Sequence, residues 1–133
     1  REYTEKWHHQ QQIRLAVGSE KKLLEEKWYL PYLETSVSAL PYHYRNVEAK
    51  NKDLIKFIFH GETEKSWYLY YDKGWELLAS TNQMPICEVR IGDDYAWKIF
   101  TKGMPKEEAI ARSKIIGNKE LGVKIFDLVA VMA

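Results

Sequence analysis

Glu5 and His9 stand four residues apart in a stretch with neither Gly nor Pro, Glu2 to Val17. On a helix that spacing projects both side chains from one face, about one turn apart, where a carboxylate and an imidazole can share one cation. An oxygen and a nitrogen donor suit zinc or a similar divalent metal. The bland alternative is an exposed Glu/His pair. His8 lies about 100° round the helix from His9 and is less well placed, and Gln12 is the next residue on the ligand face. A catalytic zinc takes about three protein ligands and keeps one position open. His43, between Tyr42 and Tyr44, and His60, before Gly61, read more simply as structural or solvent-facing residues. A third ligand is therefore expected upstream of Arg1.

The other groups capable of chemistry have simpler explanations. Cys87 alternates with Val89 and Ile91 and reads as a small core residue rather than a nucleophile. Asp93 and Asp94 precede Tyr95 as helix caps do. Arg14 reads as a solvated or salt-bridged helical residue. Lys98, Lys102, Arg112 and Lys114 could gather into a cationic patch, although a charged solvent face is the ordinary case. The rings of Trp67, Tyr68, Tyr70, Tyr71 and Trp75 suit cross-strand pairs in a hairpin before they suit a pocket.

The elements that would position these groups change character along the chain. Glu2 to Val17 reads as a helix stopped at Gly18, with Ser19 able to cap the next segment. Lys21 to Lys27 reads as a solvated connector or short helix. Pro31 is expected to restart a helix near its first turn, with Leu30, Leu33, Val37 and Leu40 as its apolar stripe, and Pro41 to end it. The period then drops to two: Ile55, Phe57 and Phe59 alternate with Lys56, Ile58 and His60. Ser66 to Tyr71 and Trp75 to Ala79 flank Asp72-Lys73-Gly74 as a hairpin, suggesting a meander, and Ile86 to Ile91 is one more half-buried strand. Next come a capped helix ending at Gly103, a short helix opened by Pro105, a strand over Ser113 to Ile116 and a last helix from Glu120 to Met132. Leu121, Ile125, Leu128 and Met132 should face inward on that last helix. This order predicts an α+β domain: a mostly antiparallel sheet with helices on one face, preceded by one or two helices.

Composition bounds the function. In 133 residues, Lys+Arg 20 against Asp+Glu 19 leaves a net charge of +1, so no surplus of cations argues for nucleic acid. With 45% hydrophobic and 14% aromatic residues, the chain has the makings of a folded core rather than of disorder. A single cysteine excludes an internal disulfide framework and suits a reducing cytoplasm. No apolar run approaches the roughly 20 residues of a membrane span, so a soluble, cytoplasmic protein without a membrane partner is expected. The sequence opens at Arg1 inside a helical pattern with no cap ahead of it, which suggests a piece of a longer chain.

The run Glu5-Lys6-Trp7-His8-His9-Gln10-Gln11-Gln12-Ile13-Arg14, with Ala16 and Gly18, resembles the last bundle helix of the mycothiol-dependent maleylpyruvate isomerase family, whose N-terminal part is a DinB-like metal-binding four-helix bundle. The likeness continues through residues 39–45, Trp67-Tyr68-Leu69, residues 95–103, residues 117–122 and the closing Val129 to Ala133, similar to that family's sterol-carrier-like C-terminal domain. Gln12 departs from the acidic residue that relatives often carry before Ile-Arg. The resemblance implies that 1–18 is the last helix of a truncated bundle, 19–41 a connecting helical segment and 42–133 the sterol-carrier-like domain. It implies that Glu5 and His9 are metal ligands, zinc foremost, completed by a histidine on an earlier helix, in an isomerase or transferase that uses a low-molecular-weight thiol on a small-molecule substrate. With two of about three ligands, this chain alone would turn over nothing. The alternative, from another class, is a noncatalytic α+β module that accepts an apolar ligand in a groove or pairs as a homodimer, burying Tyr3 and Trp7 of the opening helix against a second copy.

Overall fold

The computed structural model describes residues 26–61 and 64–128. Its elements run α1 (Glu26–Val37), α2 (Leu40–His43), β1 (Leu54–His60), β2 (Glu64–Tyr71), β3 (Trp75–Leu78), β4 (Cys87–Gly92), α3 (Asp93–Phe100), α4 (Lys106–Arg112), β5 (Lys114–Gly117) and α5 (Lys119–Gly122), then a 3-10 turn over Val123–Asp127. This is the expected α+β architecture.

The two-residue repeat of β1 sends Ile55, Phe57 and Phe59 to one face, and their neighbours do the same: Leu69 on β2, and Cys87, Val89 and Ile91 on β4. All are buried in one core with Tyr29, Tyr32, Leu33 and Val37 of α1, Tyr95, Ala96, Trp97, Ile99 and Phe100 of α3, and Ile125 and Phe126 of the 3-10 turn. The helices therefore cover one face of the sheet, and large rings fill the layer between. Phe59 meets Trp67 at 5.7 Å and Phe100 at 6.1 Å, both edge-on, the arrangement that ring quadrupoles favour. The opposite face carries Lys56 over the ring of Tyr68 and Arg90 reaching to Glu64 and Glu88. Ile58 is buried on that face as well, flanked across the ladder by Ser66 and Arg90.

The strands run β3-β2-β1-β4-β5 across the sheet. β1, β2 and β3 form the expected meander, but β4 does not continue beside β3. It pairs parallel with β1, Ile55 opposite Cys87 and Phe59 opposite Ile91, so residues 79–86 cross from one edge to the centre. The sheet is thus mixed, with a parallel pair at its heart.

Several local expectations are corrected. Pro31 lies inside α1 rather than at its first turn. Proline's fixed φ fits a helix, and only one N–H is lost. Its ring sits on the exposed side while Tyr29, Tyr32, Leu33 and Val37 on the other side are buried, and that burial outweighs the missing bond. Pro41 opens α2 instead of ending a helix. Asp93 and Asp94 occupy the first turn of α3, whose N-cap is Gly92 with no side-chain cap, so the two carboxylates act on the helix dipole rather than as caps. Thr101 caps the end of α3 and Lys102, not Gly103, takes the left-handed conformation, at φ 60°. Over residues 119–128 the expected continuous helix is absent: α5 is four residues long and tightens into the 3-10 turn, with Leu128 extended after it, and Met132 lies outside the described residues. Gly122, Ile125 and Leu128 recur every three residues, the period of a 3-10 turn, and all three are buried.

Candidate functional site

The residues with metal-binding spacing, Glu5 and His9, lie outside the described residues, as do His8, Gln12 and Arg14. Among the described residues no group of three or more His, Cys, Asp or Glu side chains is placed to hold a metal ion. The other chemistry-bearing groups are dispersed. His60 is exposed at the end of β1. The thiol of Cys87 is buried in the core, and burial pushes its pKa up to about 11, which keeps it protonated and unreactive near neutrality. The four cations read as an ordinary charged face each have their own surroundings: Lys98 lies over Trp97, Lys102 donates to the Phe126 carbonyl, Arg112 pairs with Asp94 and Glu108, and Lys114 sits opposite Arg90 on β5. The aromatic hairpin is structural, with Tyr71 edge-on to Trp75 at 5.0 Å.

What the fold builds is a groove of about 700 Å3 where β1 and β4 begin and β5 ends. One wall is the connector from α2 to β1, contributing Val47, Glu48, Ala49, Lys50 and Asp53. Facing it are Asn118, Glu120, Leu121, Val123 and Lys124, with Ile86 contributed from the start of β4. Its size falls in the range of small-molecule sites, about 300–1,000 Å3.

Each wall is fixed by bonds to distant parts of the chain. Tyr44, wholly buried, packs edge-on against Trp75 at 5.4 Å and Phe57 at 6.3 Å, and its hydroxyl donates to the Leu121 carbonyl at 2.6 Å. That burial also raises the tyrosine's pKa far above its usual value, so the hydroxyl remains a donor. His43 Nε2 lies 2.7 Å from the Lys124 carbonyl, which can only accept, so the ring donates there. The Trp75 indole N–H donates to the Val47 carbonyl at 3.1 Å. Below Val47, the connector turns at Lys50 to Asp53, where the Asp53 carboxylate accepts from the Lys50 N–H at 2.9 Å.

The facing wall is seated just as firmly. Asn118 caps α5 through its side-chain oxygen, which accepts from the Leu121 N–H at 3.2 Å, while its own N–H donates to the Ile86 carbonyl at 3.0 Å. Gly122 lets α5 lie flush on the sheet: a Cβ there would stand 2.6 Å from the Cys87 sulfur and 2.8 Å from a Val89 methyl. The lining thus joins buried Leu121 and half-buried Val47, Ala49 and Val123 to the exposed Ile86 and to exposed charged side chains, Glu48, Lys50, Glu120 and Lys124. Among the described residues the lining holds no serine, cysteine or histidine, and the nearby His43 imidazole is engaged with the Lys124 carbonyl. Of its lining, Leu121 stands out in the sequence as an inward residue and Ile86 as the start of an expected strand; the connector at 47–53 carries no periodic or motif signal.

The chain matches no known family model and no curated protein. Solved structures do resemble it. Sterol carrier protein 2 like 2 from Aedes aegypti shares 10% identity, with 77% of this chain and 98% of that one covered and a TM-score of 0.59. Sterol carrier protein 2 from Yarrowia lipolytica, in its apo form, shares 12% identity over 84% of this chain and 88% of that one, at a TM-score of 0.47. The sterol carrier protein domain 2 of Helicoverpa armigera shares 16% identity over 80% and 79%, at 0.45. At such identities the likeness, carried by the Aedes protein, is one of fold. The sterol-carrier-like architecture is shown, and these neighbours lend no support to a maleylpyruvate isomerase.

Proposed function

We propose that this chain is a noncatalytic binding module that takes a small amphipathic molecule into the groove between the 47–53 connector and α5. The observation that carries the reading is the groove itself, where the at least half-buried Val47, Ala49, Leu121 and Val123 line the same space as exposed charged side chains. A ligand whose apolar part displaces water from those apolar side chains gains about 25 cal/mol for each Å2 removed from solvent, and its polar end can stay beside the charged ones. The fold neighbour from Aedes aegypti is named as a sterol carrier, and that supports trying lipids first. Among the described residues no helix is long and apolar enough to cross a membrane.

Displacement of a fluorescent fatty acid or sterol tests the proposal. Filling the groove by Val47→Trp or Val123→Trp should weaken binding about 10-fold or more, since overpacking a site costs about 1–3 kcal/mol. Met84→Ala, at an exposed position outside the lining, should leave affinity unchanged. Equal affinity in the filled variants and the parent overturns the assignment.

The metal-dependent, thiol-using isomerase or transferase is a separate proposal. It rests on the spacing of Glu5 and His9 and on the family resemblance, with the division at 18 and 41 as its domain plan, and the groove lends it nothing.

A further inference from the structure

The connector wall brings main chain as well as side chains to the groove. On either side of its middle that main chain is committed. The Val47 N–H donates to the Tyr44 carbonyl at 2.8 Å, and the Val47 carbonyl accepts from the Trp75 indole at 3.1 Å. Lys50 closes the turn with Asp53, its N–H on the carboxylate and its carbonyl accepting from the Asp53 N–H, both at 2.9 Å. Across the groove Ile86 is used at both groups, donating to the Leu54 carbonyl and accepting from the Asn118 N–H. Glu48 and Ala49 differ: among the described residues neither the N–H nor the C=O of either makes a hydrogen bond.

Residues 47–50 alternate half-buried Val47 and Ala49 with exposed Glu48 and Lys50, the two-residue repeat of an extended chain, and both inward side chains pack on the core. Extended backbone turns the N–H and C=O of successive residues to opposite flanks. The Val47 carbonyl is turned to Trp75 on β3, so the Ala49 pair shares that flank and the Glu48 pair takes the other. Trp75 is no part of the lining, and Ile86 belongs to β4, across β1 from the β2–β3 side of the sheet, so the flank away from Trp75 is the groove's. Glu48 thus presents one donor and one acceptor to an occupant, from a segment pinned at both ends. A partner that takes both needs a C=O and an N–H separated by a single tetrahedral carbon, as one residue of an antiparallel strand pair has. A simple carboxylate head supplies no donor for the Glu48 carbonyl. We infer that the ligand of this groove is an N-acylated α-amino acid, its acyl chain against Val47, Ala49, Leu121 and Val123 and its head paired with the Glu48 main chain as one rung of a ladder. This rests on the groove being the binding site proposed above.

Three uncharged probes share one dodecanoyl chain and are titrated below their critical micelle concentrations: N-lauroylglycinamide, N-lauroylsarcosinamide, whose N-methyl removes the donor, and the ester O-lauroylglycolamide, whose oxygen replaces it. Calorimetry gives affinity, and the indole N–H resonance of Trp75, bonded to the Val47 wall, reports occupancy of the groove. N-Lauroylglycinamide should bind about 5-fold tighter than either analogue, the worth of one net hydrogen bond. It should also slow amide exchange at Glu48 severalfold and leave Ala49 unchanged. Glu48→Ala keeps the main chain and should keep the 5-fold preference. Glu48→Pro has no N–H, and N-lauroylglycinamide should bind it about 5-fold more weakly than the parent, with circular dichroism showing that the variant folds. Equal affinity for the three probes, or loss of the preference in Glu48→Ala, overturns the head assignment and leaves the groove reading standing. No Trp75 shift with any probe overturns both.

Discussion

Gly117→Ala is the sharpest test of how the groove is built. Gly117 ends β5 at φ 89°, a left-handed conformation that costs an L-residue about 1–2 kcal/mol. A Cβ there would press on the Ile86 carbonyl oxygen and stand 3.1 Å from its carbon and 3.3 Å from the Cys87 Cα. These are backbone atoms of a strand locked on both sides, by Leu54 through the Ile86 N–H and by Asn118 through the Ile86 carbonyl, so they cannot swing away as a side-chain tip can. Overpacking against them adds about 1–3 kcal/mol, for a total near 3 kcal/mol. With a urea slope of about 1.5 kcal/mol/M, the unfolding midpoint should fall by about 2 M. Gly74→Ala is the matched control: it lies in the β2–β3 turn, has no atom within 4 Å of the added Cβ and carries no positive φ. There the midpoint should hold or rise slightly, because alanine narrows the unfolded ensemble by about 0.4–1 kcal/mol. Urea unfolding followed by circular dichroism measures both. If the two variants shift alike, the seating of α5 through the Ile86–Gly117–Asn118 contact is wrong, and with it the position of one groove wall.

Three further outcomes are expected. Because burial raises the pKa of Cys87 to about 11 from an ordinary value of 9.0, the folded state holds that proton more tightly than the unfolded one. This stabilisation is complete below about pH 9 and is lost as pH rises through 11, so stability should decline across that window and the decline should lessen in Cys87→Ala. A thiol reagent at about pH 8 should likewise label native protein far more slowly than urea-unfolded protein. The proposed Glu5/His9 metal pair predicts measurable, weak zinc binding in calorimetry that a Glu5→Ala, His9→Ala double variant loses; equal zinc affinity in both removes the metal proposal, and with it the enzymatic one.

Much of the fold was legible because it is written in local periodicity. Ile55, Phe57 and Phe59 alternate, and they form β1 with those three side chains in the core. Asp72-Lys73-Gly74 turns the hairpin between β2 and β3, and Cys87, Val89 and Ile91 are buried as their alternation requires. Proline and the last helix were harder, since each depends on what lies opposite. Burial of one face carries α1 through Pro31, and packing of Gly122 onto Cys87 and Val89 sets where α5 gives way to a 3-10 turn.

Which residues would meet in the groove was not legible. Its walls come from residues 47–53, 86 and 118–124, which nothing in local sequence relates to one another. They meet because β4 slots in parallel beside β1 and because Tyr44 and His43 reach some 80 residues along the chain to the Leu121 and Lys124 carbonyls. Side-chain patterning within one segment decides whether that segment becomes a strand or a helix, since that is settled by which of its own side chains share a face. Which segments become neighbours is decided by burial and hydrogen bonding summed over the whole chain, and a binding site made of three such neighbours exists only once that sum is complete.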